Sequence, residues 1–423
     1  MAVSRRIFLR NSAFALAGVG AAPLWLQRAA LAAGQPGQRK KVLVAIFQRG
    51  AADGLNIVVP HGEQRYYDLR PTIAIPRPSA KVSAADSVLD LDGFFGLHPS
   101  LAPLMPLWKN QQLAIVHSAG SPDPTRSHFD AQDYMESGTP GLKATTAGWL
   151  NRALSQSDVH QSGERSAVRA VSLGANMSRT LAGPNKAIAI ESMGNFTVRE
   201  ASAAKALQSM YAGTGDQILG GTGRETFDAV SILQSLQKTP YTAANNATYP
   251  RGRFGDSLKQ IAQLIKSDVG LEVAFAEIGN WDHHVNEVGP KASIGVLANV
   301  LSDFGGSLAA FYQDLGDRME DVVVVTMSEF GRTAQENGNR GTDHGHANVM
   351  FAMGGSVSGG KVYGDWPGLA KEQLNDGRDL ALTTDFRDVL GEAVWTHLGN
   401  RNLGGVFPNY SGGQEKFRGW LRV

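Results

Sequence analysis

Val322-Val323-Val324-Val325-Thr326-Met327-Ser328-Glu329-Phe330-Gly331-Arg332-Thr333 leads through a polar loop into Gly341-Thr342-Asp343-His344-Gly345-His346-Ala347, and the fold turns on this stretch. Its first half is a short β-branched apolar run, the pattern of a strand buried on both faces of a parallel sheet. The run stops at Ser328, Glu329, Gly331 and Arg332. In open α/β sheets ligands bind beyond the carboxyl ends of the strands, so polar residues there mark where a site belongs. The second half gathers a carboxylate, Asp343, and two imidazoles, His344 and His346, among glycines that let the backbone approach closely. Oxygen and nitrogen donors in such a loop suit Zn, Mn or a similar divalent ion. The same loop also fits a solvated turn in which Asp343 and Thr342 only cap backbone groups.

Working outward, residues 272–278 form another buried run, which ends in Trp281-Asp282-His283-His284. Residues 40–47 read as the first strand. Asp53 stands in the loop after it, placed for a carboxylate ligand, although Asp-Gly is also a common turn. A further strand is expected at 113–117, after which Pro122 and Pro124 forbid a helix until 127–136. Ser127 falls at that helix start, either as an N-cap or as a nucleophile at an anion-favouring N-terminus. Arg126 beside it is placed to grip an anionic oxygen in bidentate fashion. Residues 167–173 read as a strand. Helices are expected at 254–269, with Leu258, Ile261, Leu264 and Ile265 on one face, and at 292–315 and 385–398. Residues 66–78 read as an extended wrap over the surface. From about 176 to 250 the buried runs give way to short helical pieces, including 201–211 and 225–237, read as an inserted cap over the strand ends.

Five of the ten histidines fall in three places, at His128, at His283-His284, and at His344 and His346. Each place follows a predicted strand. Random scatter rarely does this, whereas a shared metal site would.

Composition narrows the classes. The 423 residues suffice for one large α/β domain with an insertion. The net charge of +1, without a basic stretch interleaved with aromatics, argues against nucleic acid as a partner. With no cysteine, disulfides, thiolate metal sites and cysteine nucleophiles are excluded. No glycine fingerprint for a dinucleotide follows the first strand.

Ser4-Arg5-Arg6-Ile7-Phe8-Leu9-Arg10 resembles the twin-arginine (Tat) export consensus, and Ala30-Leu31-Ala32 offers small residues for cleavage. The apolar segment between them is too short and too weakly hydrophobic for a stable membrane span. Residues 1–33 are therefore expected to be a Tat signal, leaving residues 40–423 as the folded domain. The Tat translocase would be a partner during export, and the destination periplasmic or extracellular.

Taken together, the Tat signal, Arg49-Gly-Ala-Ala-Asp53-Gly-Leu-Asn, Arg126-Ser127-His128-Phe129-Asp130-Ala131-Gln132, Trp281-Asp282-x-His284, Ser328-Glu329-Phe330-Gly331-Arg332-Thr333 and Gly341-Thr-Asp-His-Gly-His346 resemble the bacterial domain-of-unknown-function 1501 family, placed in the alkaline phosphatase and sulfatase clan. The resemblance implies an α/β/α sandwich with a mostly parallel sheet. It also implies one or two divalent ions, Zn or Mn, at the strand carboxyl ends. Asp53 then resembles a first-strand carboxylate that bridges metal and nucleophile, and Ser127 lies near the nucleophile position. Asp282 and His284 resemble a carboxylate–imidazole pair, Glu329 stands at a further ligand position, and His344 or His346 resembles the late histidine. Arg126 or Arg332 would clamp nonbridging oxygens, and His128 would serve as general acid. The implied activity is hydrolysis of phosphate or related anionic esters, with a small or polysaccharide-linked substrate. A catalytically degenerate envelope protein used for binding or assembly is the alternative.

Overall fold

Nine strands form the central sheet of the computed structural model, which describes residues 39–79, 81–154, 166–195, 217–238 and 240–422. In chain order they are β1 Val42–Gln48, β2 Leu113–Gly120, β3 Ala170–Leu173, β4 Ile188–Ile190, β5 Val273–Ile278, β6 Val322–Ser328, β7 Asn348–Gly354, β8 Lys361–Tyr363 and β9 Thr384–Asp385. Across the sheet the order is β8-β2-β7-β6-β1-β5-β3-β4, with β9 beside β2. Only β7 runs antiparallel to its neighbours, β2 and β6. The principal helices are α1 Gln64–Leu69, α2 His128–Ser137, α3 Gln217–Gln237, α4 Arg253–Lys266, α5 Val296–Leu315 and α6 Phe386–Glu392.

The pleat sends successive β1 residues to opposite faces. Val42, Val44 and Ile46 enter one apolar core with the inward faces of α4 and α5. Leu43, Ala45 and Phe47 enter a second core with Trp149 and with Phe386 and Val389 of α6. Burying each such aliphatic or aromatic side chain contributes about 1.5–3 kcal/mol, so a strand apolar on both faces is stable only between two helical layers. The expected α/β/α sandwich with a mostly parallel sheet is borne out.

Register places the site. Gln48 of β1 pairs with Ser328 of β6 and with Ile278 of β5, so these three carboxyl ends are level. Strand β2 is antiparallel to β7, and β7 to β6, so β2 ends at the same edge and β7 begins there. The loops after β1, β2, β5 and β6 and the loop before β7 therefore share one rim.

Three regions add to or differ from the sequence reading. Strand β7 was not anticipated, although all seven of its residues are buried. Residues 66–78 are not a surface wrap. Helix α1 occupies their start, and Tyr66, Arg70, Ile73 and Ile75 are buried. Within 176–250, β4 extends the sheet edge, and Ala229, Ile232 and Leu233 of α3 join the first core. The export segment and residues 201–211 lie outside the described residues. No described helix is long and apolar enough to cross a membrane.

Candidate metal centre

Four side chains from three loops meet above this rim. Asp282 and His284 follow β5, and His128 opens α2. His344 arrives on the loop that enters β7. The loops are laced to one another through their backbones. Thr342 N–H donates to His283 O at 3.0 Å, Gly345 N–H to Gly331 O at 2.8 Å, and Gly331 N–H to His346 O at 2.7 Å. Two glycines permit this contact. A Cβ on Gly345 would strike the Arg332 backbone, and one on Gly341 would strike that of His284.

The imidazoles point their Nε2 atoms at one another. His344 Nε2 lies 3.0 Å from His128 Nε2 and 3.1 Å from His284 Nε2. Asp282 Oδ1 is 2.9 Å from His284 Nε2 and 3.4 Å from His344 Nε2, and Asp282 Oδ2 is 3.7 Å from His128 Nε2. Donor atoms of His128, Asp282 and His344 lie within 4.8 Å of one another.

Each ring is held from behind at Nδ1. That of His128 meets Glu329 Oε1 at 2.9 Å, that of His284 meets Asp343 Oδ1 at 3.2 Å, and that of His344 meets the Arg126 carbonyl at 3.0 Å. These partners only accept, so Nδ1 bears the proton in each neutral ring and Nε2 bears a lone pair. With neutral rings, the lone pairs of His128 and His344 then face Asp282 with no proton between them, a repulsive arrangement relieved by a cation, and His284 Nε2 lies beside His344 and Asp282. Tetrahedral Zn with Zn–N of about 2.0–2.1 Å requires donor atoms roughly 3.3 Å apart. The residues present fit a divalent ion, complete with the outer hydrogen bonds that orient metal-binding histidines.

The protonation preferences follow from these contacts. Burial opposes ionisation of Glu329, but hydrogen bonds from His128, Gln132 and Gly50 hold its carboxyl below the ordinary value. Burial likewise opposes ionisation of Asp282, and the Arg332 guanidinium outweighs it. The Glu329 bond raises His128, whereas burial lowers His344 and so favours its neutral ring.

The remaining sequence candidates occupy other positions. Glu329, 1% exposed, sits behind His128 and accepts from Gly50 N–H at 2.8 Å and Gln132 Nε2 at 3.0 Å. Asp343 is exposed; it sits behind His284 and also accepts from Asn337 Nδ2 at 3.2 Å. Asp53 does not reach the cluster, because both its oxygens bind Arg70. His346 lies in the neighbourhood of Asp379, Arg126, Asp376 and Asp123. Arg126 pairs with Asp379 and Asp376. Arg332, 2% exposed, donates to the carbonyls of Ala51, Gly50, Thr342 and Trp281 and to Asp282. It is thus a structural clasp and not an open clamp for substrate. Ser127 is the N-cap residue of α2 but makes no side-chain cap bond. Phe330 packs its ring 5.1 Å from that of His128 and 5.0 Å from that of His344, forming an apolar wall beside both.

Sequence reasoning missed Gln132, Arg70 and Glu287. Gln132 was recoverable, lying one helical turn after His128 on the same face. Arg70 and Glu287 leave no local signal.

No curated protein matches the chain. Among solved structures it is similar to the C-terminal periplasmic domain of EcEptC from Escherichia coli in complex with Zn, at 9% identity over 75% of this chain and 73% of that one, with a TM-score of 0.35. It is similar to the PsFucS1 sulfatase from Pseudoalteromonas sp., at 14% identity over 89% and 72%, with a TM-score of 0.38. It is also similar to alkaline phosphatase from the Antarctic bacterium TAB5, at 10% identity over 76% and 93%, with a TM-score of 0.28. A family model matches residues 40–399, nearly the whole described domain. The chain belongs to the family described as protein of unknown function, DUF1501.

Proposed function

We propose that the chain is a divalent-metal-dependent hydrolase of phosphate or related anionic esters, exported by the Tat pathway to work in the periplasm or outside the cell. The observation that carries this reading is the convergence of the His128, His284 and His344 Nε2 lone pairs with Asp282 at the strand ends. A bound Zn or Mn ion would polarise an ester oxygen and lower the pKa of a hydroxyl or water.

The chain's own groups do the rest. Ser127, adjacent to a ligand and free of any side-chain cap bond, offers its hydroxyl as the nucleophile. The N-terminus of α2 favours the negative charge of the ester. Arg126, whose side chain is 33% exposed, borders the same helix start. His128 takes a ligand's role in place of the general-acid role expected for it. Glu329 and Asp343 hold the Nδ1 protons that fix the rings. The substrate would be a small or polysaccharide-linked anionic ester.

One observation favours a second reading, a non-catalytic binding or assembly protein of the envelope. Arg332 is consumed by internal acceptors, so one of the arginines expected to clamp a transition state is unavailable.

Elemental analysis of protein purified without chelator, beside the His344→Ala/His346→Ala variant, tests both. Bound divalent metal that is lost in the variant, with chelator-sensitive turnover of phosphate, phosphonate or sulfate esters, supports the hydrolase. Absence of metal after reconstitution removes it, and metal without turnover of any ester favours the second reading.

A further inference from the structure

The family resemblance implies a metal ligand at Asp53, but the residues around Asp53 do not fit an ion. Asp53 is 1% exposed, and its two oxygens accept from Arg70 Nη1 and Nη2 at 2.5 and 2.9 Å. Arg70 is 0% exposed, and two further donors are committed to backbone carbonyls. Nε donates to Ala334 O at 2.9 Å, and Nη2 donates to Thr333 O at 2.8 Å. Those carbonyls lie just beyond Arg332, so the guanidinium is fastened between the loop after β1 and the loop after β6. Releasing Asp53 to an ion would strand a buried guanidinium without a counter-charge, which a protein interior strongly disfavours.

A second acid lies beside the pair. Glu287 is 0% exposed and accepts from Thr342 Oγ1 at 3.0 Å. Burial, and after it the Asp53 carboxylate, push Glu287 well above the usual carboxylate range. One guanidinium thus meets one carboxylate at both of its oxygens, and burial favours the neutral form of Glu287 beside them. The pair also bears on the metal centre from a distance. It anchors the loop whose Gly50 and Ala51 carbonyls hold Arg332, and Arg332 in turn holds Asp282 Oδ1.

Resting on the metal-centre reading above, we infer that this protein takes a single divalent ion, at His128, Asp282, His284 and His344, and that the Arg70 guanidinium is a built-in cation at Asp53 in place of a second ion. Arg70 is then a positioning residue, and the chemistry of the site is that of one ion.

Metal stoichiometry tests this without recourse to activity. Purified protein is stripped with chelator, reloaded with Zn²⁺ or Mn²⁺, passed through a desalting column and analysed for metal per chain. One equivalent is expected in the wild type and in Asp53→Asn, and almost none in His284→Ala. Two equivalents in the wild type, with one surviving in His284→Ala, would overturn the inference, and this comparison stands even if Asp53→Asn does not fold. A wild type that binds no ion at all refutes the metal-centre reading itself, an outcome distinct from two equivalents.

Discussion

His128 Nε2 and His344 Nε2 stand 3.0 Å apart while the Nδ1 of each ring is bound to an acceptor, Glu329 for one and the Arg126 carbonyl for the other. In their neutral forms neither ring can donate to the other. The contact is stable only with an additional proton or with a cation between them, and four consequences can be measured.

Glu329 orients His128 and makes its Nε2 a better donor to a metal. Glu329→Gln keeps the shape but removes the charge, so affinity for Zn²⁺ should fall about 10–100-fold. Competition against a chromogenic chelator reads this directly. Unchanged affinity would show that Glu329 does not govern the His128 ligand.

The metal-free and metal-loaded proteins should respond to pH with opposite signs. The folded-state pKa of His128 is raised above 6.5 by the Glu329 bond. In metal-free protein the stability from this pair is complete below the unfolded value and is lost as pH rises through the folded one. Ion binding needs Nε2 without its proton, so affinity grows over that same interval. The Tm difference between loaded and metal-free protein should widen from about pH 6 to about pH 8. A constant difference would exclude His128 from the ligand set.

Asp53→Ala should cost about 3–5 kcal/mol, the penalty for leaving a buried charge unpaired. Arg65→Ala, at the exposed Arg65–Asp68 pair, should cost less than about 1 kcal/mol. Denaturant unfolding of both variants makes the comparison. Equal costs would mean that the Asp53–Arg70 pair is not the buried clasp described.

Ser127→Ala should retain the ion but lose turnover by about 100-fold or more, equivalent to at least roughly 2.7 kcal/mol in the barrier. Single-turnover kinetics beside metal analysis separates the two effects. Full metal-dependent turnover in the variant would make a bound water the nucleophile.

Much of this arrangement was legible in the chain. Apolar runs such as 322–328 needed helices on both sides, and polar residues at their ends marked one rim. Asp282, His284 and His344 were recognisable as ligand types at strand ends. Strand β7 was less legible. Its apolar run follows the metal loop directly, and its antiparallel direction depends on pairing with β2 and β6.

The sequence by itself determined buried strands with imidazoles and carboxylates at their ends, because both follow from local hydrophobic period and strand polarity, while the α/β/α architecture was what the family resemblance implied. Only the tertiary structure decided which donors meet. His128 meets partners 201 and 216 positions away, and its ligand atom is selected by the proton those contacts place on its other nitrogen. Asp53 was decided in the same way. A guanidinium 17 residues further along, in a segment that reads as surface, folds inward and takes both of its oxygens. Coordination depends on the direction of lone pairs and on which charges are already paired, and neither is a property of local sequence.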